Sequence, residues 1–130
     1  MDDFKINVFD DIAVVKIDIL IATHRDAKPL WDELESKLIF KWKKLIIDLS
    51  PCNYIDSTFI GMIVKIFRKV CELNGQMVLV FPKINTVESF NVLGITKIVK
   101  SYNSLPEALN SLGLQPQNQN LKFDEKFSTN

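Results

Sequence analysis

Side chains able to do chemistry are few in this chain of 130 residues, and they gather in one stretch, Asp56-Ser57-Thr58. A serine acts as a nucleophile when a base lies within hydrogen-bond reach and donors await the oxyanion. The one histidine, His24, has no group recognisable in sequence to orient it, and the G-x-S-x-G elbow does not occur. His24 reads as a solvated or locally bonded loop residue, no catalytic residue is assigned, and the chain reads as a non-enzyme. Cys52 and Cys71 form no C-x-x-C pair, and with a single histidine they fall short of a zinc ligand set. Both read as buried, reduced thiols, with no metal and no cofactor. Neither G-x-x-x-x-G-K nor G-x-G-x-x-G is present, which argues against the common nucleotide sites. What remains for Ser57 is to cap a helix or to be modified. A phosphate there would gain from helix N-terminal amides and the macrodipole, so modification leaves the helix intact and changes what its surface binds.

The helix that positions Ser57 is legible from spacing. Asp56 and Ser57 are both good N-cap types, and Phe59, Met62, Ile63, Ile66, Phe67 and Val70 follow at helical intervals. Two apolar stripes, Phe59-Ile63-Ile66-Val70 and Ile60-Val64-Phe67-Cys71, claim most of the circumference. The narrow face left over runs Ser57, Gly61, Lys65, Arg68 and Glu72. Glycine inside a helix costs about 1 kcal/mol relative to alanine. Gly61, one turn after Ser57, either leaves the surface beside the hydroxyl open to another molecule or permits close packing against a neighbouring element. Lys65 and Arg68 suit an acidic partner surface, or are an ordinary solvated face.

Around this helix the chain alternates strands and helices. Phe4, Ile6 and Val8, then Val15, Ile17 and Ile19 across Asp10-Asp11, read as a hairpin with one buried face. Ala27, Leu30, Trp31, Leu34 and Leu38 mark a first helix. Pro29 fits only its first turn without loss of a backbone bond, which favours Asp26 over Thr23 as the cap. Leu45–Leu49 and Met77–Phe81 read as buried strands, with Asp48 at the carboxyl end of the first, where it can bond loop amides beneath Ser57. Asn74-Gly75 reads as a left-handed helix stop. A third helix from Asn85 or Thr86 to Leu93, an edge strand over Lys97–Tyr102 and a last helix, Leu105–Leu112, complete the set. Ser104 and Glu107 stand in a capping-box arrangement, and Gly113 is the stop. From Leu114 the composition turns to Gln, Asn and Pro; this tail is either disordered or docks through Phe123 and Phe127. Lysine plus arginine balances aspartate plus glutamate, which disfavours nucleic-acid and anionic-membrane partners. With no leader pattern and no apolar run near about 18 residues, a soluble, cytoplasmic protein is expected.

Leu45-Ile46-Ile47-Asp48-Leu49-Ser50, Tyr54-Ile55-Asp56-Ser57-Thr58 with Gly61, and Asn74-Gly75 before an apolar strand resemble the STAS domain of bacterial anti-sigma-factor antagonists. The stretch from Val87 to Leu93-Gly94-Ile95, then Ile98-Val99, Tyr102 and Ser104–Leu109, is similar to the C-terminal part of the same family. The resemblance implies an α/β fold, a STAS-like single domain over residues 1–113 with a tail over 114–130. Its N-terminal β-hairpin would continue into a mixed, largely parallel sheet of about five strands packed with four helices. It also implies a partner switch: an anti-sigma-factor antagonist binds an anti-sigma factor that is also a serine kinase, is phosphorylated, and is reset by a serine phosphatase. By position the modified serine is Ser57, with Thr58 the secondary candidate. Asp56, Ser57, Thr58, Gly61, Lys65 and Arg68 would meet the partner, and the protein would be a monomer or weak dimer. An adaptor of the same fold that is never phosphorylated is the alternative. The family usually carries Gly-Leu-Gly where this chain has Phe59-Ile60-Gly61; Phe59 falls on the core-facing stripe, so the fold should accommodate it.

Overall fold

The computed structural model describes residues 3–82 and 94–114. Strands β1 (Phe4–Phe9) and β2 (Ile12–Ile17) form the expected antiparallel hairpin. β4 (Lys44–Asp48), β6 (Gln76–Val80) and β7 (Ser101–Tyr102) extend it in parallel, giving a five-stranded sheet of order β1-β2-β4-β6-β7. A second, two-stranded sheet pairs β3 (Ile21–Ala22) with β5 (Tyr54–Ile55). The helices are α1 (His24–Ser36), α2 (Ser57–Glu72) and α3 (Leu105–Ser111). Among the described residues there are thus three α-helices rather than four, and the one expected up to Leu93 falls on residues 83–93, outside them.

Successive side chains of a strand point to opposite faces, so a strand covered on both sides reads as an unbroken apolar run. In β4, Leu45 and Ile47 enter a core built with Leu30 and Leu34 of α1 and Phe59, Ile63 and Ile66 of α2. Ile46, between them, joins Val14, Val78 and Val80 against Leu105, Ala108 and Leu109 of α3. Leu114, where the tail was expected to begin, is buried in this second core.

Several local expectations are corrected. Thr23, not Asp26, caps α1: its hydroxyl accepts from the Arg25 amide while Asp26 Oδ2 accepts from the Thr23 amide at 2.9 Å, a capping box. Pro29 consequently lies inside the helix. The bond it removes would have ended on the carbonyl of Arg25, an exposed residue, and buried Leu30 and Leu34 carry the helix past it. His24 is therefore a helical residue rather than a loop one. The edge strand shrinks to Ser101–Tyr102, because Ile95–Lys97 turn as a 3-10 helix that buries Ile95 and leaves Ile98 out. At the end of α2 it is Asn74 that takes the left-handed conformation (φ 63°), while Gly75 is needed for space: a Cβ there would lie 2.9 Å from Val70 Cγ1. Cys52 is buried as expected, but Cys71 is exposed. It sits where the second stripe of α2 turns outward at the helix end.

Candidate functional site

β4 delivers the chain to its carboxyl edge, where Asp48, only 3% exposed, accepts from the Ser50 amide at 2.9 Å. The Leu49 amide donates to the Val80 carbonyl and the Cys52 amide to the Leu49 carbonyl, which folds the loop back on the sheet. Cys52 plugs the loop from beneath, its Sγ 3.8 Å from the Ile17 carbonyl oxygen. Burial, and then the nearby carboxylates of Asp48, Asp26 and Asp18, push this thiol up to about 12, so it stays protonated and unreactive.

From that base the chain rises through β5 to Asp56, where two helices meet. Asp56 is the N-cap of α2, and its Oδ1 accepts from the Phe59 amide at 2.8 Å. Its other oxygen, Oδ2, accepts from the His24 amide at 2.9 Å, in the first turn of α1, with His24 Nδ1 3.8 Å away. One carboxylate thus answers the free amides of two helix N-termini. The Asp56 amide in turn donates to the Ala22 carbonyl at 3.0 Å, so the β3-β5 pair sets both helix starts side by side.

With Asp56 occupied as cap, Ser57 is the first residue of α2 and is exposed, as are Thr58, Gly61, Lys65, Arg68 and Glu72. The expected face is present as a line down one helix. Phe59 is 0% exposed, which accounts for a bulky residue two positions from the serine. Gly61 separates the two readings of its missing side chain: among the described residues a Cβ there would meet nothing within 4 Å, so no packing within them calls for glycine. Lys65 leans over the Trp31 ring of α1, 4.6 Å from its centroid, and so is a partly tethered cation rather than a freely solvated one. Leu20, Ile21 and Tyr54 were not expected in the site. The Asn53 and Tyr54 amides both donate to the Leu20 carbonyl, Ile21 lies opposite Tyr54, and all three apolar side chains are more than half exposed beside Asp56. Two-residue strands are too short to show alternation, so no sequence signal marked this shelf. Among the described residues no three His, Cys, Asp or Glu side chains group to hold a metal, and no helix is long and apolar enough to cross a membrane.

The STAS domain family model matches residues 3–108. A Thermotoga neapolitana protein assigned as an anti-sigma factor antagonist is 31% identical over 86 residues, which cover 66% of this chain and 74% of that protein. The crystal structure of a Thermotoga maritima protein assigned likewise superposes with a TM-score of 0.74 at 23% identity, covering 83% of this chain and 92% of that one. The Bacillus cell fate determinant SpoIIAA, solved in its phosphorylated form, superposes with a TM-score of 0.62 at 14% identity, covering 84% and 98%.

Proposed function

This chain belongs to the STAS domain family, within its anti-sigma factor antagonists, and from there we propose that it works as a phosphorylation-controlled binding partner of an anti-sigma factor, with Ser57 as the switch. The carrying observation is the exposed line Ser57-Gly61-Arg68, in which no packing among the described residues calls for glycine at Gly61. An open notch one turn from a hydroxyl suits close approach by another protein's backbone. The shelf of Leu20, Ile21 and Tyr54 supplies desolvatable area at the same end, and Lys65 and Arg68 supply positive charge farther along α2.

The chemistry of the switch belongs to the partner kinase. Ser57 Oγ attacks the γ-phosphorus of its ATP; the new O–P bond forms as the bond to the ADP oxygen breaks, and the serine proton passes to a base on the kinase. A serine phosphatase restores the hydroxyl by hydrolysis. The modification adds about −1.5 to −2 charge at Ser57. Asp56 is already committed to two amides, which leaves the backbone no reason to rearrange. A like charge or clash in an interface costs several kcal/mol, and about 4 kcal/mol is roughly a thousandfold in affinity. Phosphorylation therefore releases the partner locally, without a conformational change. SpoIIAA, which shares the fold, is solved in a phosphorylated form, and this supports extending the property to Ser57.

Mass spectrometry of the protein from its native cell, followed by pull-downs with Ser57→Ala and Ser57→Asp, tests the reading. Phosphate at Ser57, with partner recovered by the alanine form and not by the aspartate form, is expected. Equal recovery by both would mean a constitutive adaptor. The shelf is tested alongside: Ile21→Asp should weaken recovery by the form that carries serine or alanine at position 57.

A further inference from the structure

The end of the molecule away from Ser57 carries a second opening. β7 pairs only with Leu79 and Val80, so among the described residues the outer edge of β6 from Gln76 to Val78 has no strand beside it. Backbone groups of a strand alternate in direction. The Leu79 and Phe81 amides donate to the Lys100 and Tyr102 carbonyls, so Met77, two residues earlier, aims its own N–H and C=O at the same side, where among the described residues no strand pairs with it. A cleft of about 330 Å³ occupies that space. Phe67, Met77, Ile98 and Leu112 wall it, while Lys100, Tyr102 and Gln76 bring polar groups to it. Ile98 is 51% exposed, an apolar side chain left unburied where the chain turns to enter β7.

We propose that this cleft is a binding site for a small amphipathic anion, with the apolar body against Phe67, Ile98 and Leu112 and the acid group on Lys100. The volume lies at the small end of the range for ligand sites, roughly 300–1,000 Å³, which calls for a small ligand. Lys100, Gln76, Tyr102 and Ser111 supply polar groups and Phe67, Ile98 and Leu112 apolar ones, a mixture that can orient a ligand with a charged head. Lys100 makes no ion pair among the described residues, so its ammonium is available for a carboxylate. The site is separate from the Ser57 surface: Ser57 and the cleft-lining Cys71 lie near opposite ends of α2, roughly 20 Å apart along the helix axis at 1.5 Å per residue.

Cys71 provides the readout. It is exposed and lines the cleft, whereas Cys52 is buried with its thiol pushed up to about 12, so iodoacetamide should modify Cys71 alone. Alkylation of the full chain is followed by mass spectrometry with decanoate, with decanol and with neither. Decanoate should slow alkylation of Cys71 saturably, and shift the amide resonances of Met77, Ile98 and Lys100. A charge-assisted contact is commonly a tenfold effect or more, so Lys100→Glu should raise the half-protecting concentration of decanoate about tenfold or more and leave that of decanol unchanged. Ile98→Asp, at a half-exposed position, should abolish protection by both while leaving the amide spectrum that of a folded domain. Equal protection by decanol and decanoate, protection indifferent to Lys100→Glu, or a Cys71 already unreactive without ligand would each overturn the proposal. None of these outcomes bears on Ser57.

Discussion

A single carboxylate, that of Asp56, holds the amides of Phe59 and His24 and so fixes the start of α2 to the start of α1. Its loss should be felt in stability. Removing an N-cap costs about 1–2 kcal/mol, so Asp56→Ala should lower the unfolding free energy obtained from urea titration by that amount, while Ser57→Ala, at an exposed position making no cap bond, stays within about 0.5 kcal/mol. If Ser57→Ala proved the more damaging, Ser57 and not Asp56 would be the structural cap. Gly61 gives the opposite sign. A Cβ there meets none of the described residues, so Gly61→Ala should stabilise the domain by up to about 1 kcal/mol through helix propensity and at the same time weaken partner binding. A more stable variant with unchanged affinity would remove Gly61 from the interface. At this scale the sequence could show that Ser57 or Asp56 begins a helix and that Phe59 faces inward. It could not show the bond from Asp56 to His24, which joins residues far apart in the chain and leaves no periodic trace.

Among elements, the loop between β4 and α2 matters most, because it carries Ser57 at its far end. Cys52 plugs it with a thiol that burial and three carboxylates keep protonated up to about 12, against an ordinary value of 9.0. The sign follows from linkage: between those values the unfolded chain gives up the thiol proton and the folded one does not. Stability therefore falls as pH rises from about 9 towards 12, by at most about 1.4 kcal/mol per unit from this group. Urea unfolding across that range should show a steeper fall for the wild type than for Cys52→Ala, whose baseline stability is lower but lacks this component. Parallel slopes would mean the thiol titrates normally. The helix and strand assignments that stood on long apolar patterns, α2, β4 and β6, were readable because period and length agree there. Pro29, which disfavours a helix interior, points in the sequence to Asp26 rather than Thr23 as the cap of α1; the capping box and the buried leucines outweigh one missing hydrogen bond. β3 and β5 were invisible because two residues carry no period, yet they set the two helix starts together.

For the whole molecule, the sheet separates two cores and the chemistry collects at its edges. The hairpin was legible from its alternation, and the parallel strands because Leu45–Ile47 of β4 and Met77–Val80 of β6 are unbroken apolar runs, as a sheet covered on both faces requires. The residues of the Ser57 surface were legible for the complementary reason, as what remained of α2 once its buried stripes were taken away. The apolar shelf and the cleft beside β6 were not, since both arise where chain segments distant in sequence leave a gap. Asp56 ties the starts of α1 and α2 together, and so phosphorylation is expected to act on the surface alone. The most direct test is the affinity of the cognate anti-sigma factor for this chain carrying serine or phosphoserine at position 57, with amide spectra of both forms. A loss of roughly a thousandfold, with resonance changes confined to the neighbourhood of Ser57, is the expected result. Equal affinity for the two forms would contradict the switch outright.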